Sequence, residues 1–123
     1  MTANLAVLFS GGGRTVLNIL DCIENGTLDA NISLAIASSA GIDGIDRIAS
    51  RGIDVAVARP QGDSIDDGDL HVQSWLNREQ PDLICLCGYL RLLHIEPWMV
   101  GRIINIHPSL LPKYGGKGMY GMR

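Results

Sequence analysis

The side chains with the clearest potential for chemistry are one amide and one imidazole at the end of an apolar run, on Asn105 and His107. Side chains two residues apart in a strand project to the same face, so both groups can reach one small volume. Pro108 restricts the backbone of His107 to extended geometry. The pair either forms a joint site or ends the strand at a corner where both side chains bond the local backbone. Spacing alone favours neither interpretation.

A second candidate site is the glycine-rich segment 10–15, Ser-Gly-Gly-Gly-Arg-Thr, which joins an apolar run to an amphipathic stretch. Glycines let the backbone turn sharply and approach a ligand, and the first free amides of a helix point at an anion. The guanidinium of Arg14 suits phosphate. The segment matches neither the dinucleotide fingerprint nor the lysine-containing P-loop. It is therefore either a phosphate-binding loop or a tight turn.

Composition limits the function further. With 123 residues, 46% of them hydrophobic and 19% charged, the chain fits one globular domain. A net charge of −3 gives no electrostatic reason to expect nucleic acid. The three cysteines lack metal-ligand spacing, which indicates free thiols in a reducing compartment. No leader or membrane-length apolar stretch is present. We expect a cytoplasmic protein that binds no metal, nucleic acid or membrane.

Short apolar runs alternate with amphipathic stretches along the chain. The apolar runs predict strands at 5–9, 32–37, 54–58, 83–87 and 102–106. Helices are expected at 16–23, 45–50, around 72–76 and at 97–100, with an exposed loop at 61–69. This alternation predicts an α/β fold, an open parallel sheet with helices on both faces. Ligands of such sheets bind at the carboxyl ends of the strands, where the segments 10–14, 88–93 and 105–112 would converge.

Residues 105–112, Asn-Ile-His-Pro-Ser-Leu-Leu-Pro, resemble the signature of the folate-dependent formyltransferases, most closely the branch that acts on glycinamide ribonucleotide. Residues 7–13 lie where that family has its Ser-Gly-x-Gly phosphate loop, and residues 81–93 resemble its buried strand and folate loop. The resemblance covers essentially the whole chain in the right order. It implies a Rossmann-like formyltransferase domain at 1–123. The glycine loop argues against the transfer-RNA branch.

The resemblance implies transfer of a formyl group from 10-formyltetrahydrofolate to the amine of glycinamide ribonucleotide, a step of purine biosynthesis. Attack by the amine creates a tetrahedral oxyanion, which requires preorganised donors. The matching Asn105 would donate a hydrogen bond to that oxygen. The matching His107, when protonated, would stabilise it and assist proton transfer to the leaving nitrogen. The ribonucleotide and a reduced folate are thus the implied partners, and no metal is implied.

The remaining implied site residues lie in two loops. Those that hold the ribonucleotide phosphate are Gly11, Gly12, Gly13, Arg14 and Thr15. Those that contact the folate are Leu90, Arg91, Leu92, Leu93 and Asn105. The sequence departs from the family at residues 14–15, Arg-Thr, where Ser-Asn is common. A folate-contacting arginine often found ahead of the third helix is absent from 63–69.

We also expect this chain to be truncated at its C-terminus, because the family continues with more strands, a lid loop and a C-terminal helix. The continuation carries an aspartate that favours the charged imidazole of the catalytic histidine. Without it, His107 is expected to be mostly neutral near neutral pH, and the chain alone weakly active or inactive. Two alternatives stay open: a non-catalytic phosphate-ligand binding module of the same fold, and a formyltransferase that acts on another amine.

Overall fold

A computed structural model describes residues 2–60, 64–91 and 93–106. The predicted site residues Leu92 and His107 lie outside the described residues, as does the rest of the segment 107–123. Strands and helices alternate along the described chain: β1 Ala3–Phe9, α1 Arg14–Glu24, β2 Ala30–Ala37, α2 Asp43–Ala49, β3 Val55–Val57, α3 Ile65–Glu79, β4 Leu83–Cys87, a 3₁₀ helix Pro97–Met99, and β5 Ile103–Ile106.

The five strands form one sheet in the order β3-β2-β1-β4-β5, and all four neighbouring pairs are parallel. The predicted open parallel sheet is thereby confirmed. From β1 the chain builds outward through β2 to β3, and then returns to add β4 and β5 on the other side of β1. The strand order therefore reverses between β1 and β4. Ligand sites of open α/β sheets lie at the carboxyl ends of such a pair.

Helices cover both faces of the sheet, which explains why the central strands are apolar runs rather than alternating sequences. On β1, Val7 and Phe9 pack with residues of α1 and α2 in one buried cluster. Ala6 and Leu8 face the opposite way and pack with α3 and the 3₁₀ helix in a second cluster. The predicted placement of helices on both faces is confirmed.

The sequence interpretation is wrong for part of the segment 61–69, because Ile65–Asp69 form the first turn of α3 and not a loop. Ser64 is the N-cap, and its hydroxyl accepts a hydrogen bond from the N–H of Asp67 at 3.0 Å. Asp66 and Asp67 lie in the first turn, where carboxylates interact favourably with the helix dipole. The acidic residues that indicated an exposed loop are therefore those that begin the helix.

Other boundaries agree more closely. β4 has the predicted bounds, and β1 and β2 each begin two residues earlier than expected. Cys85 and Cys87 are free and buried in β4, as expected for small apolar residues. Burial, with a smaller contribution from Cys85, raises the pKa of the Cys87 thiol to about 12. In the described part of the chain, no helix has the length and apolar character needed to cross a membrane.

We predict that Ser64→Ala lowers the free energy of unfolding by about 1 kcal/mol, because it removes the N-cap of α3. Chemical denaturation measures the change. Ser74→Ala is the control, since Ser74 is exposed within the same helix, and we expect it to change stability by less than about 0.5 kcal/mol. Equal effects of the two substitutions on stability would contradict the role of Ser64 as a stabilising N-cap.

Candidate functional site

The glycine loop after β1 makes a turn that only glycine accommodates at its last position. Gly13 is the N-cap of α1 with φ +74°, in the left-handed region that glycine favours. A Cβ on Gly13 would lie 3.0 Å from Cδ1 of Ile48 and 3.1 Å from Cα of Gly44. The tight-turn interpretation of the loop is thus correct at Gly13. It does not exclude ligand binding, because the same turn presents the start of α1.

The first turn of α1 offers free hydrogen-bond donors at this edge of the sheet. The backbone N–H of Leu17 donates to the carbonyl of Gly13 at 2.9 Å and is the first bond of the helix. The N–H groups of residues 14–16 precede that bond and have no intrahelical acceptor. The first turn carries no acidic residue, and Arg14 is exposed there. Such a helix end suits an anion.

Helix α2 packs directly on the glycine loop, a contact that sequence reasoning missed. The N–H of Gly44 donates to the carbonyl of Gly11 at 3.2 Å. The guanidinium Nη1 of Arg47 donates to the carbonyl of Gly12 at 3.1 Å. A Cβ on Gly44 would lie within 2.8 Å of Gly11 and Gly13 backbone atoms and of the Phe9 ring, so the helix approaches closely only because this residue is glycine. Contacts from α2 therefore fix the backbone of the glycine loop.

The loop after β4 meets the glycine loop. The backbone N–H of Leu90 donates to the hydroxyl of Ser10 at 2.9 Å. Gly88 turns the chain with φ +69°, and the Leu90 side chain is 84% exposed. The structure thus brings together two of the three segments predicted to converge.

An ion pair joins the same loop to α3. Nη2 of Arg91 lies 2.7 Å from Oδ2 of Asp69, and Nε lies 3.3 Å from Oδ1, so the contact is bidentate. The hydrogen bond to Asp69 raises the pKa of Arg91. Burial, with a smaller contribution from the charge of Asp69, raises the pKa of the neighbouring Tyr89 to about 12. Sequence reasoning assigned Arg91 to folate contact and did not identify Asp69.

A cavity of about 410 Å³ lies between α3 and this loop. It is lined by Asp66, Asp69, Leu70, Val72, Gln73, Tyr89, Leu93 and His94. Of the predicted folate residues, Leu93 lines the cavity. Leu90 and Arg91 do not line it, although Arg91 is paired with its Asp69 wall. Most of the lining surface is apolar, although Asp66, Asp69, Gln73 and His94 contribute polar groups, a combination typical of small-molecule sites.

Asn105 lies on β5, two strands from β1, and pairs in register with Leu86. Its amide is exposed, and within the described ranges it makes no hydrogen bond to local backbone. Ile103, two residues earlier, packs in the buried cluster that contains residues of α3. Asn105 therefore lies on the same face of the sheet as α3. The glycine loop leads into α1 on the opposite face. Asn105 and the loop can therefore meet only beyond the strand ends, with strand axes about 10 Å apart.

Outside the cavity, His71 and the acidic side chains form no metal-binding cluster among the described residues. His71 is half-buried on α3, and its Nδ1 lies 2.8 Å from the carbonyl oxygen of Ala58, to which it must donate. Its ring also lies 5.8 Å from that of Trp75. Of the residues described, no group of three or more His, Cys, Asp or Glu side chains could hold a metal ion.

The fold and its loops define a class: an open parallel α/β domain with two contacting loops at the carboxyl ends of β1 and β4, the usual position of ligand sites in such folds. A family model described as formyl transferase matches residues 3–122, and the chain belongs to that family. This confirms the resemblance seen in the sequence.

Named relatives agree. The chain is 34% identical over 125 residues to a chloroplastic phosphoribosylglycinamide formyltransferase of Arabidopsis thaliana, covering 97% of this chain and 42% of the relative. It is 35% identical over 119 residues to the phosphoribosylglycinamide formyltransferase of Haemophilus influenzae, covering 94% and 56%. The chain thus spans about half the length of these relatives.

Solved structures share the fold. The phosphoribosylglycinamide formyltransferase of Brucella melitensis superposes with a TM-score of 0.76 at 30% identity, covering 98% of this chain and 65% of that one. Glycinamide ribonucleotide transformylase 1 of Symbiobacterium toebii gives a TM-score of 0.73 at 29% identity, covering 99% and 61%.

We predict that Gly44→Ala lowers the free energy of unfolding by about 1–3 kcal/mol, because the new methyl group collides with the glycine loop. Denaturant titration measures the loss. Gly11→Ala is the control, since a Cβ there meets no atom within 4 Å, and we expect a change below about 0.5 kcal/mol. Replacement of an ordinary glycine within a helix by alanine raises the free energy of unfolding. A gain at Gly44 would therefore contradict the close packing.

Proposed function

We propose that this chain is the part of a phosphoribosylglycinamide formyltransferase that binds the ribonucleotide phosphate and forms one side of the folate site. The reaction is transfer of a formyl group from 10-formyltetrahydrofolate to the amine of glycinamide ribonucleotide. One observation carries the proposal: the loops after β1 and β4 touch, through Ser10 and Leu90, at the point where the strand order reverses. The family match adds the chemistry.

The phosphate is proposed to bind at the start of α1. The donors are the backbone amides of the loop 11–15, and Arg14 adds a guanidinium. Gly11 leaves the backbone open to a ligand, since a Cβ there would meet no atom within 4 Å, while contacts from α2 fix the carbonyls of Gly11 and Gly12. A dianionic phosphate thus meets positive charge and donors in a preformed loop.

The folate is proposed to bind beside the loop after β4. Leu93 and Tyr89 offer apolar surface at the cavity, and the exposed side chain of Leu90 can cover a flat ring. Arg91, fixed by Asp69, presents charge at the rim. Leu92 belongs to the same proposed contact set and lies outside the described residues.

The chemical step is proposed to use Asn105 and His107. The amine nitrogen of the ribonucleotide attacks the formyl carbon, so a carbon–nitrogen bond forms and a tetrahedral oxyanion develops. The amide of Asn105 donates to that oxygen, and protonated His107 stabilises it. Collapse breaks the bond between the formyl carbon and the folate nitrogen. The attacking nitrogen loses a proton, and His107 assists proton delivery to the leaving nitrogen.

The proposed compartment is the cytoplasm. It rests on the free thiols Cys22, Cys85 and Cys87, which suit a reducing environment.

Formyl transfer tests the proposed chemistry. The assay uses this chain and a fusion of it to the C-terminal part of the Haemophilus influenzae relative. We expect turnover by the fusion and little or none by the chain alone. In the fusion, Asn105→Ala or His107→Ala should lower kcat by about 100- to 1000-fold with little change in the ribonucleotide KM.

Asn31→Ala is the matched control, because Asn31 is exposed near the amino end of β2, and its kcat should be unchanged. Two results would contradict the proposal: no turnover by a folded fusion, or turnover that does not depend on Asn105 and His107. Ribonucleotide binding without any such turnover is the outcome expected of the non-catalytic binding module.

Arg14→Gln tests the phosphate site. An exposed charge contact is worth about 1 kcal/mol, so the Kd of the chain for glycinamide ribonucleotide should rise about 5-fold in calorimetry. Arg78→Gln removes the same charge from the far end of α3 and should leave the Kd unchanged. The ribonucleoside without phosphate should not respond to Arg14→Gln, and an equal response of both ligands would place the phosphate elsewhere.

A further inference from the structure

We infer that Ser10 is a positioning residue whose hydroxyl fixes the loop after β4 against the glycine loop, and thereby holds the two proposed substrate sites in one geometry. The contact itself is a structural feature of the fold. Its effect on folate binding rests on the proposed function.

The Ser10 hydroxyl continues the pairing of β1 and β4 at the point where the sheet ends. Backbone pairing of these strands finishes at Phe9 and Cys87. Ser10 is the next residue after β1, and its half-buried side chain accepts the N–H of Leu90 at 2.9 Å, across 80 residues of sequence. Because the strand pairing has ended, no backbone carbonyl of β1 is paired with the N–H of Leu90. The Ser10 hydroxyl takes the place of that acceptor.

Within the loop after β4, Gly88 and Leu90 have few other restraints among the described residues. A Cβ on Gly88 would meet no atom within 4 Å, and the Leu90 side chain is largely exposed. Apolar packing therefore holds this loop at Tyr89 and Leu93, which pack against the buried cluster beside α3, and not at Gly88 or Leu90. Two polar contacts hold the segment between them: the Ser10 hydroxyl on the backbone of Leu90, and the Asp69 carboxylate on the side chain of Arg91. Only the first fixes the backbone position relative to the glycine loop.

The glycine loop does not depend on this contact to the same degree. Gly44 and Arg47 of α2 bond to its carbonyls from the other side. Removal of the Ser10 hydroxyl should therefore release the loop after β4 and leave the phosphate donors in place. This asymmetry separates a positioning role from general destabilisation, which would weaken both ligands together.

The test uses this chain with three substitutions: Ser10→Ala, Ser10→Thr and Ser38→Ala. Ser10→Thr keeps the hydroxyl. Ser38→Ala is the matched control, because Ser38 follows β2 as Ser10 follows β1, is also half-buried, and its hydroxyl bonds to none of the described residues. Nuclear magnetic resonance measures hydrogen exchange at the Leu90 amide, and calorimetry measures binding of 10-formyltetrahydrofolate and of glycinamide ribonucleotide.

A typical hydrogen bond contributes a factor of about 2 to 10. Ser10→Ala should speed exchange at Leu90 and weaken folate binding by about that factor, with ribonucleotide binding unchanged. Ser10→Thr and Ser38→Ala should behave like the unaltered chain. Unchanged exchange at Leu90 in Ser10→Ala would overturn the inference, as would equal weakening of both ligands.

The two proposals fail separately. If the unaltered chain binds no folate while Leu90 exchange still responds to Ser10→Ala, the proposed function fails at the folate site and the loop contact stands. If folate binds normally to both chains and exchange does not respond, the inference about Ser10 fails and the proposed function stands.

Discussion

The site depends on the rigid placement of β1 in the middle of the sheet. β1 pairs with β2 on one edge and with β4 on the other, and its side chains are buried on both faces. A strand restrained on four sides cannot shift without opening both apolar clusters, which would expose surface worth about 25 cal/mol per Å². Its carboxyl end is therefore a fixed point. The glycine loop begins at that point, and the loop after β4 begins beside it.

Gly13 in the loop and Gly44 in α2 have different physical roles in the packing around the glycine loop. Gly13 supplies the left-handed turn into α1, and Gly44 lets α2 come within contact of that turn. The result is a loop whose carbonyls are fixed by Gly44 and Arg47 of α2 and whose Gly11 faces open space. Preorganised donors of this kind bind a ligand without a cost for ordering the loop.

The fold could be predicted from the sequence because each central strand is an unbroken apolar run. β4 was predicted to the residue since Pro81 and Asp82 precede it and Gly88 follows it. The start of α3 was missed because its first turn is acidic and contains Gly68, features that also suit a loop. The spacing of Ser64 and Asp67 is typical of a helix N-terminus, and the N-cap hydrogen bond of Ser64 shows that this interpretation is the right one.

Part of the candidate site could likewise be predicted from the sequence and part could not. The loops themselves were recognisable as interruptions of apolar runs, and the resemblance assigned their ligands. The contacts that hold them were not recognisable, because Arg47 with Gly12 and Ser10 with Leu90 are separated by 35 and 80 residues. The Asp69 partner of Arg91 lay in a segment interpreted as a loop. Such pairs follow from the sheet order, which periodicity does not specify.

The proposed function requires glycinamide ribonucleotide to bind at the carboxyl end of β1, beside the loop after β4. A titration of the isotope-labelled chain with glycinamide ribonucleotide, followed by backbone amide chemical shifts, tests it most directly. We expect saturable shifts that share one Kd at the amides of residues 11–15, with a smaller response at Leu90 across the loop contact. Saturable shifts confined to another part of the sheet, with these amides unmoved, would contradict it.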